Sequence, residues 1–293
     1  MNWIVGLDLR SPDDGALRLA AWLARSCRPA GGERFLGVHV LEEGWLRPFL
    51  EQESAEGLMQ AARRSANDLV ARAGAAGAIT DVKVVQSVRV DDGLEAALLE
   101  EGGEALVVCR RARRRDRSLV RLGAVARRLL RNLPAPVVVV PPDLADADLG
   151  DGPVLALTAL SGDSVAACRF GADLARRTGR PLAVAHVVEE APGSGADFLP
   201  RGPREDLGRA LREEGERALP AWLSASGIEA ESALVLQGSA VEEAVELALR
   251  LRSPLVVAGS RALSAAGRAV LPSFSSELAA AAPLPVAVVP PRA

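Results

Sequence analysis

The chain carries one pattern twice, and nothing else in it constrains the fold as strongly. Leu106-Val107-Val108 recurs as Leu255-Val256-Val257, and Pro134-Ala135-Pro136-Val137 recurs at the same offset as Pro283-Leu284-Pro285-Val286. Upstream, VVQS around Gln86 matches LVLQGS around Gln237, and GVHVLEE matches AVAHVVEE, which sets the chain's two histidines, His39 and His186, in corresponding places. Matches that keep their order mark a repeated structural unit. At 293 residues the chain is long enough for each copy to bury its own core. Between the copies, Asp143 to Gly152 is an acidic run of small residues behind two prolines, the composition of an exposed connector. The pattern predicts one domain over 1–142, a linker over 143–152 and a second domain over 153–293.

Within each copy, short apolar runs alternate with amphipathic stretches. In the first copy WIVGLDL, RFLGVHVL, VKVVQSV, ALVVC and PVVVVP read as strands. PDDGALRLAAWLARSC, a stretch from about Ser54 to Ala73, DDGLEAALLEE and LVRLGAVARRLLRN read as helices between them. Ser11, Asp13 and Asp14 stand where the first helix needs capping or acidic groups. Continuous apolar strands separated by helices predict a mostly parallel sheet covered on both faces, a doubly wound α/β fold of five strands per copy. Such sheets bind ligands at the carboxyl ends of their strands, beside the point where strand order reverses.

Composition excludes several functions. Half the residues are hydrophobic (49%) and a quarter charged (25%), as in an ordered globular protein. Tyrosine is absent and there are only five Phe and four Trp, too few for a stacking surface on single-stranded nucleic acid. The formal net charge of -3 supplies no general attraction to polyanions or anionic membranes, so neither nucleic acid nor membrane is an expected partner. Cys27, Cys109 and Cys168 are too far apart for a metal motif or disulfide scaffold. No charged-then-apolar leader opens the sequence, and a cytoplasmic location is expected.

At its strand ends the sequence resembles the universal stress protein family, over nearly the whole chain and twice. The features shared are a first strand ending in Asp8, a second ending near His-Val, and LVV followed by a helix and a Pro-x-Pro-Val strand. The resemblance implies an adenine nucleotide alpha hydrolase-like fold, paired as a pseudo-dimer through the final strands. In nucleotide-binding members, the fourth strand is followed by Gly-x2-Gly-x9-Gly-(Ser/Thr), whose backbone amides approach phosphate at a helix amino end. The first-strand Asp contacts the nucleoside side there. In this sequence the first copy has Arg110-x2-Arg113-x9-Gly123-Ala124, and the second has Gly259-x2-Ala262-x9-Pro272-Ser273, with Thr158 in place of the Asp. Both motifs are incomplete. Asp8, Arg110, Arg113, Gly123, Ala124, Gly259, Ala262 and Ser273 are the candidate binding residues, and ATP with Mg²⁺ is the cofactor pair the resemblance implies.

Asp8 has a second reading, as a turn-capping residue. The histidines, each alone in a strand, read as packing groups, and no catalytic set or metal cluster can be assembled around them. Ser161-Gly162-Asp163-Ser164 reads as opening the helix SVAACRFGADLARR through N-capping. Arginines crowd the segment 110–131 and suit phosphate, RNA or an acidic partner. Cys109, beside Arg110 and Arg111, stands where positive charge promotes thiol chemistry. The expectation is a non-enzymatic role in stress response or regulation. Its alternatives are a nucleotide-binding protein with an arginine-modified phosphate site and a weak nucleotide hydrolase. Final-strand pairing inside the chain leaves open whether the two-domain unit dimerises again.

Overall fold

A computed structural model describes residues 1–10, 14–27, 32–44, 55–110, 122–189, 201–260 and 273–291. The chain divides into two compact units, the first comprising Met1–Leu149 with Ala279–Val288, the second Gly150–Leu278 with Val289–Ala293.

The first unit runs β1 (Asn2–Gly6), α1 (Gly15–Ser26), β2 (Arg34–Glu42), α2 (Ala55–Arg72), β3 (Ile79–Ser87), α3 (Val90–Glu100), β4 (Ala105–Cys109), α4 (Ala124–Asn132) and β5 (Val137–Val140). Its strands lie in the order β3-β2-β1-β4-β5, all parallel. Every residue of Val137–Val140 and the core of β1 is buried. β-Branched and aliphatic side chains on both faces of a parallel strand leave it no solvated side, so helices must cover both. α1 packs on β1, β4 and β5, while α3 packs on β1, β2 and β3 beside α4. A further strand, β10 (Val286–Val289), runs antiparallel to β5, with Val286, Ala287 and Val288, all in this unit, opposite Val139, Val138 and Val137. The two Pro-x-Pro-Val segments therefore form one ladder, and β5 does not end the sheet as an open edge.

The second unit repeats the order with β6 (Val154–Thr158), α5 (Asp163–Thr178), β7 (Leu182–Val188), α6 (Arg201–Ser226), β8 (Ser232–Gln237), α7 (Ala240–Arg250), β9 (Val256–Gly259) and the start of α8 (Phe274–Ala281), whose residues from Ala279 on belong to the first unit. Its parallel strands are arranged β9-β6-β7-β8. Among the described residues no helix is long and apolar enough to cross a membrane.

The start of α1 positions the later site. Asp14 makes no side-chain capping bond; its carboxylate instead takes two hydrogen bonds from Arg18 one turn on, at 2.9 and 2.8 Å. Asp14 therefore stabilises the first turn as an i,i+4 partner, whereas Ser11 and Asp13 lie outside the described residues. Gly15 is required by a close approach: a Cβ there would stand 2.0 Å from the carbonyl oxygen of Pro141. The helix end is thereby held against the chain leaving β5. Gly162, at the start of α5, has nothing within 4 Å of the corresponding position. Gly15→Ala should lower unfolding free energy by about 2 kcal/mol or more, and Gly162→Ala by less than about 0.5 kcal/mol, as read from urea titrations. Equal effects would contradict the close approach.

Candidate functional site

The order β3-β2-β1-β4-β5 reverses the direction of chain travel at β1. Crossovers to β2 and to β4 leave on opposite sides, which opens a crevice over the carboxyl ends of β1 and β4. A cavity of about 300 Å³ lies at this point, lined by the ends of β1, β2 and β4 and the amino ends of α1 and α4. It brings together four residues singled out from the sequence: Asp8, Arg110, Gly123 and Ala124. Arg113 lies outside the described residues.

Asp8 leaves β1 and accepts a hydrogen bond from the Arg10 amide at 3.0 Å, so its turn-capping reading is realised. Its side chain is 43% exposed, and Arg10 Nε lies 3.9 Å from the same oxygen. Arg10 also donates to Glu42 at 2.8 Å across the mouth of the cavity. His39, buried in β2, bonds through Nδ1 to the Leu7 carbonyl at 2.9 Å. A carbonyl only accepts, so Nδ1 carries the hydrogen. Burial pushes the imidazole below its ordinary pKa against the opposing pull of that hydrogen bond, and the ring is neutral at pH 7. His186 makes the same bond to the Thr158 carbonyl, also at 2.9 Å. The two histidines thus tie the second strand of each copy to the first. Among the described residues no cluster of three or more His, Cys, Asp and Glu is arranged to hold a metal.

Gly123 precedes α4 with extended backbone (φ -61°, ψ 163°), and no side chain caps the helix. Amides there remain directed at the cavity end, a favourable place for negative charge. Arg110 behaves differently from a simple phosphate-binding arginine. Only 5% exposed, it donates through Nη1 to the carbonyls of Ala279, at 3.3 Å, and Ala280, both inside the first unit. Its Nε is buried without a hydrogen-bond partner. Burial pulls the guanidinium below its usual range, opposed by Asp143 and Cys109.

One charged cluster carried no signal in the sequence beyond two aspartates at a helix start. Asp91, fully buried in the first turn of α3, accepts from Arg128 at 3.1 Å and from Arg89. Burial alone would raise its pKa; the two arginines overcome that and hold the carboxyl below the usual range. Arg128 is thereby fixed at the cavity wall. This accounts for one arginine of the 110–131 run as an internal partner, as the Ala279 and Ala280 carbonyls account for another.

The second copy places its candidates in other local roles. Thr158 Oγ1 accepts from the Leu160 amide at 2.9 Å, the same turn that Asp8 makes, but the residue is buried. Gly259 allows α5 to approach, since a Cβ would meet the Asp163 carbonyl at 3.3 Å. Ser273 caps α8 through the Ser276 amide at 3.3 Å. The N-cap expected of Ser161 to Ser164 is not formed: Gly162 stands at the cap of α5 with no side-chain bond, and Ser164 Oγ instead accepts from the Ala159 amide at 3.0 Å, bracing the turn into the helix. Ala262 and Pro272 lie outside the described residues.

Two tandem units built on parallel strands, the first with a cavity at its strand ends, define a class of small α/β domain. A sequence profile of the universal stress protein family matches residues 1–141 and 152–290, and the chain belongs to that family. It is 32% identical over 115 residues to a curated universal stress protein of Thermus aquaticus, covering 39% of this chain and 81% of that one. Several solved structures share its fold over 99% of the chain. A functionally unknown protein of Pseudomonas aeruginosa has a TM-score of 0.65 at 16% identity, with 92% of it covered. A universal stress protein of Archaeoglobus fulgidus has a TM-score of 0.61 at 17% identity, with 98% covered.

Because Asp91 titrates in the fold below its unfolded value of about 4, its contribution is complete at neutral pH and is lost as pH falls through the folded value. Asp91→Ala should therefore cost about 3 kcal/mol at pH 7 and clearly less near pH 3, measured by urea unfolding at each pH. A loss that does not shrink in acid would contradict the ion-pair account.

Proposed function

We propose that the protein is a non-enzymatic regulatory module of the stress response whose first copy binds one nucleotide. The observation that carries this reading is the convergence of Asp8, Gly123 and Ala124 on a single cavity at the reversal point of the sheet. A half-exposed carboxylate on one side suits a ribose hydroxyl, and a helix amino end with no side-chain cap on the other suits a phosphate. The volume, about 300 Å³, lies at the lower end of those that hold small ligands. In this reading the second copy, with Thr158 buried and Ser273 capping a helix, serves as a structural partner.

A binding role fits the chemistry of the site better than turnover does. His39 is buried, neutral and held by a carbonyl, so it is poorly placed to exchange protons with a ligand. Arg110 spends part of its guanidinium on Ala279 and Ala280, so phosphate recognition in this reading rests on the α4 backbone more than on that side chain.

Calorimetric titration of nucleotide-stripped protein with ATP and Mg²⁺ should give about one site per chain. Asp8→Ala should weaken it about tenfold or more, the scale of one lost charge-assisted hydrogen bond. Absence of binding, or binding indifferent to Asp8→Ala, would overturn the proposal.

A further inference from the structure

The three thiols occupy unlike surroundings. Cys27 is 1% exposed at the end of α1, and Cys168 is 0% exposed inside α5, where burial pushes its thiol up to about 12. Cys109 is partly exposed and lines the cavity. Its Sγ accepts the Ala16 amide at 3.1 Å. Ala16 is the second residue of α1, so this N–H has no acceptor within the helix and points the positive end of twelve aligned peptide dipoles at the sulfur. The geometry is imposed from elsewhere, because the approach of Gly15 to Pro141 fixes where α1 begins.

A second observation points to a ligand at the same place. The next residue, Arg110, is buried, lines the cavity and keeps its Nε without a hydrogen-bond partner. A buried guanidinium N–H left unpaired costs free energy that an entering anionic group recovers. Cys109, Arg110 and the amino end of α4 all border one cavity.

We infer that Cys109 is a modification site that takes up half of a small anionic disulfide, forming a mixed disulfide inside the cavity. The Cys109 sulfur, giving up its proton, attacks one sulfur of the disulfide; a new S–S bond forms as the old one breaks. The leaving thiolate takes a proton and departs as a thiol, so Cys109 is oxidised and the departing half is reduced. The carboxylate of the retained half lies toward Arg110 and the amino end of α4.

The test uses the intact, reduced, nucleotide-free protein at pH 7 and two probes, dithiodipropionate, which carries carboxylates, and cystamine, which carries amines. Acid-quenched samples are digested and each cysteine peptide is followed by mass spectrometry. Every rate is divided by that of N-acetylcysteinamide with the same probe, which removes the probes' intrinsic reactivity. The mixed disulfide is expected on Cys109 while Cys27 and Cys168 stay unmodified, with the normalised preference for dithiodipropionate about tenfold or more. Modification of Cys109 no faster than of Cys27 and Cys168, or a normalised rate with cystamine equal to or above that with dithiodipropionate, would overturn the inference. The outcome is independent of whether ATP binds.

Discussion

The structure of the first unit depends on one constraint: parallel strands must be joined by crossovers, and the order β3-β2-β1-β4-β5 sends those crossovers away from β1 on opposite sides. The crevice over the ends of β1 and β4 is a consequence of that connectivity and would exist with other side chains. What this sequence adds is how the crevice is walled. Gly15 lets α1 come against the chain behind β5, His39 ties β2 to the end of β1, and the Asp91 cluster holds Arg128 on the far wall.

The two copies share backbone solutions while differing at the residues that would face a ligand. Both tie the second strand to the first through a histidine Nδ1, and both close the first strand with a side chain accepting an amide two residues on. The closing residue is a half-exposed carboxylate in the first copy and a buried hydroxyl in the second. A repeat fold tolerates this because packing needs only the turn, whereas binding needs an exposed charge. Divergence is thus concentrated where the sheet makes no demand.

Much of the architecture was legible in the sequence because the signals are local. ALVVC is β4 to the residue, and α2, Ala55–Arg72, lies within the stretch expected from about Ser54 to Ala73. Apolar runs of that length, flanked by helical periodicity, admit few other folds. The convergence of Asp8, Gly123 and Ala124 was likewise readable from the family spacing. Arg110 and Asp91 were not. Charged residues in an arginine-rich segment and at a helix start read as solvent-facing, and their burial depends on the accepting carbonyls of Ala279 and Ala280 and on the donating guanidinium of Arg128, which only the fold brings near. Asp14 shows the same limit at short range, since its choice of Arg18 over the helix amides is settled by side-chain geometry.

Hydrogen exchange with and without saturating Mg²⁺-ATP tests most directly whether the first copy is the binding half. The account predicts slower exchange for the segments carrying Asp8, Arg10, Ala16 and Gly123–Ala126, with no change at the corresponding ends of β6 and β9 in the second copy. Protection at Thr158, Gly259 and Ser273 instead, or at neither set of strand ends, would contradict it.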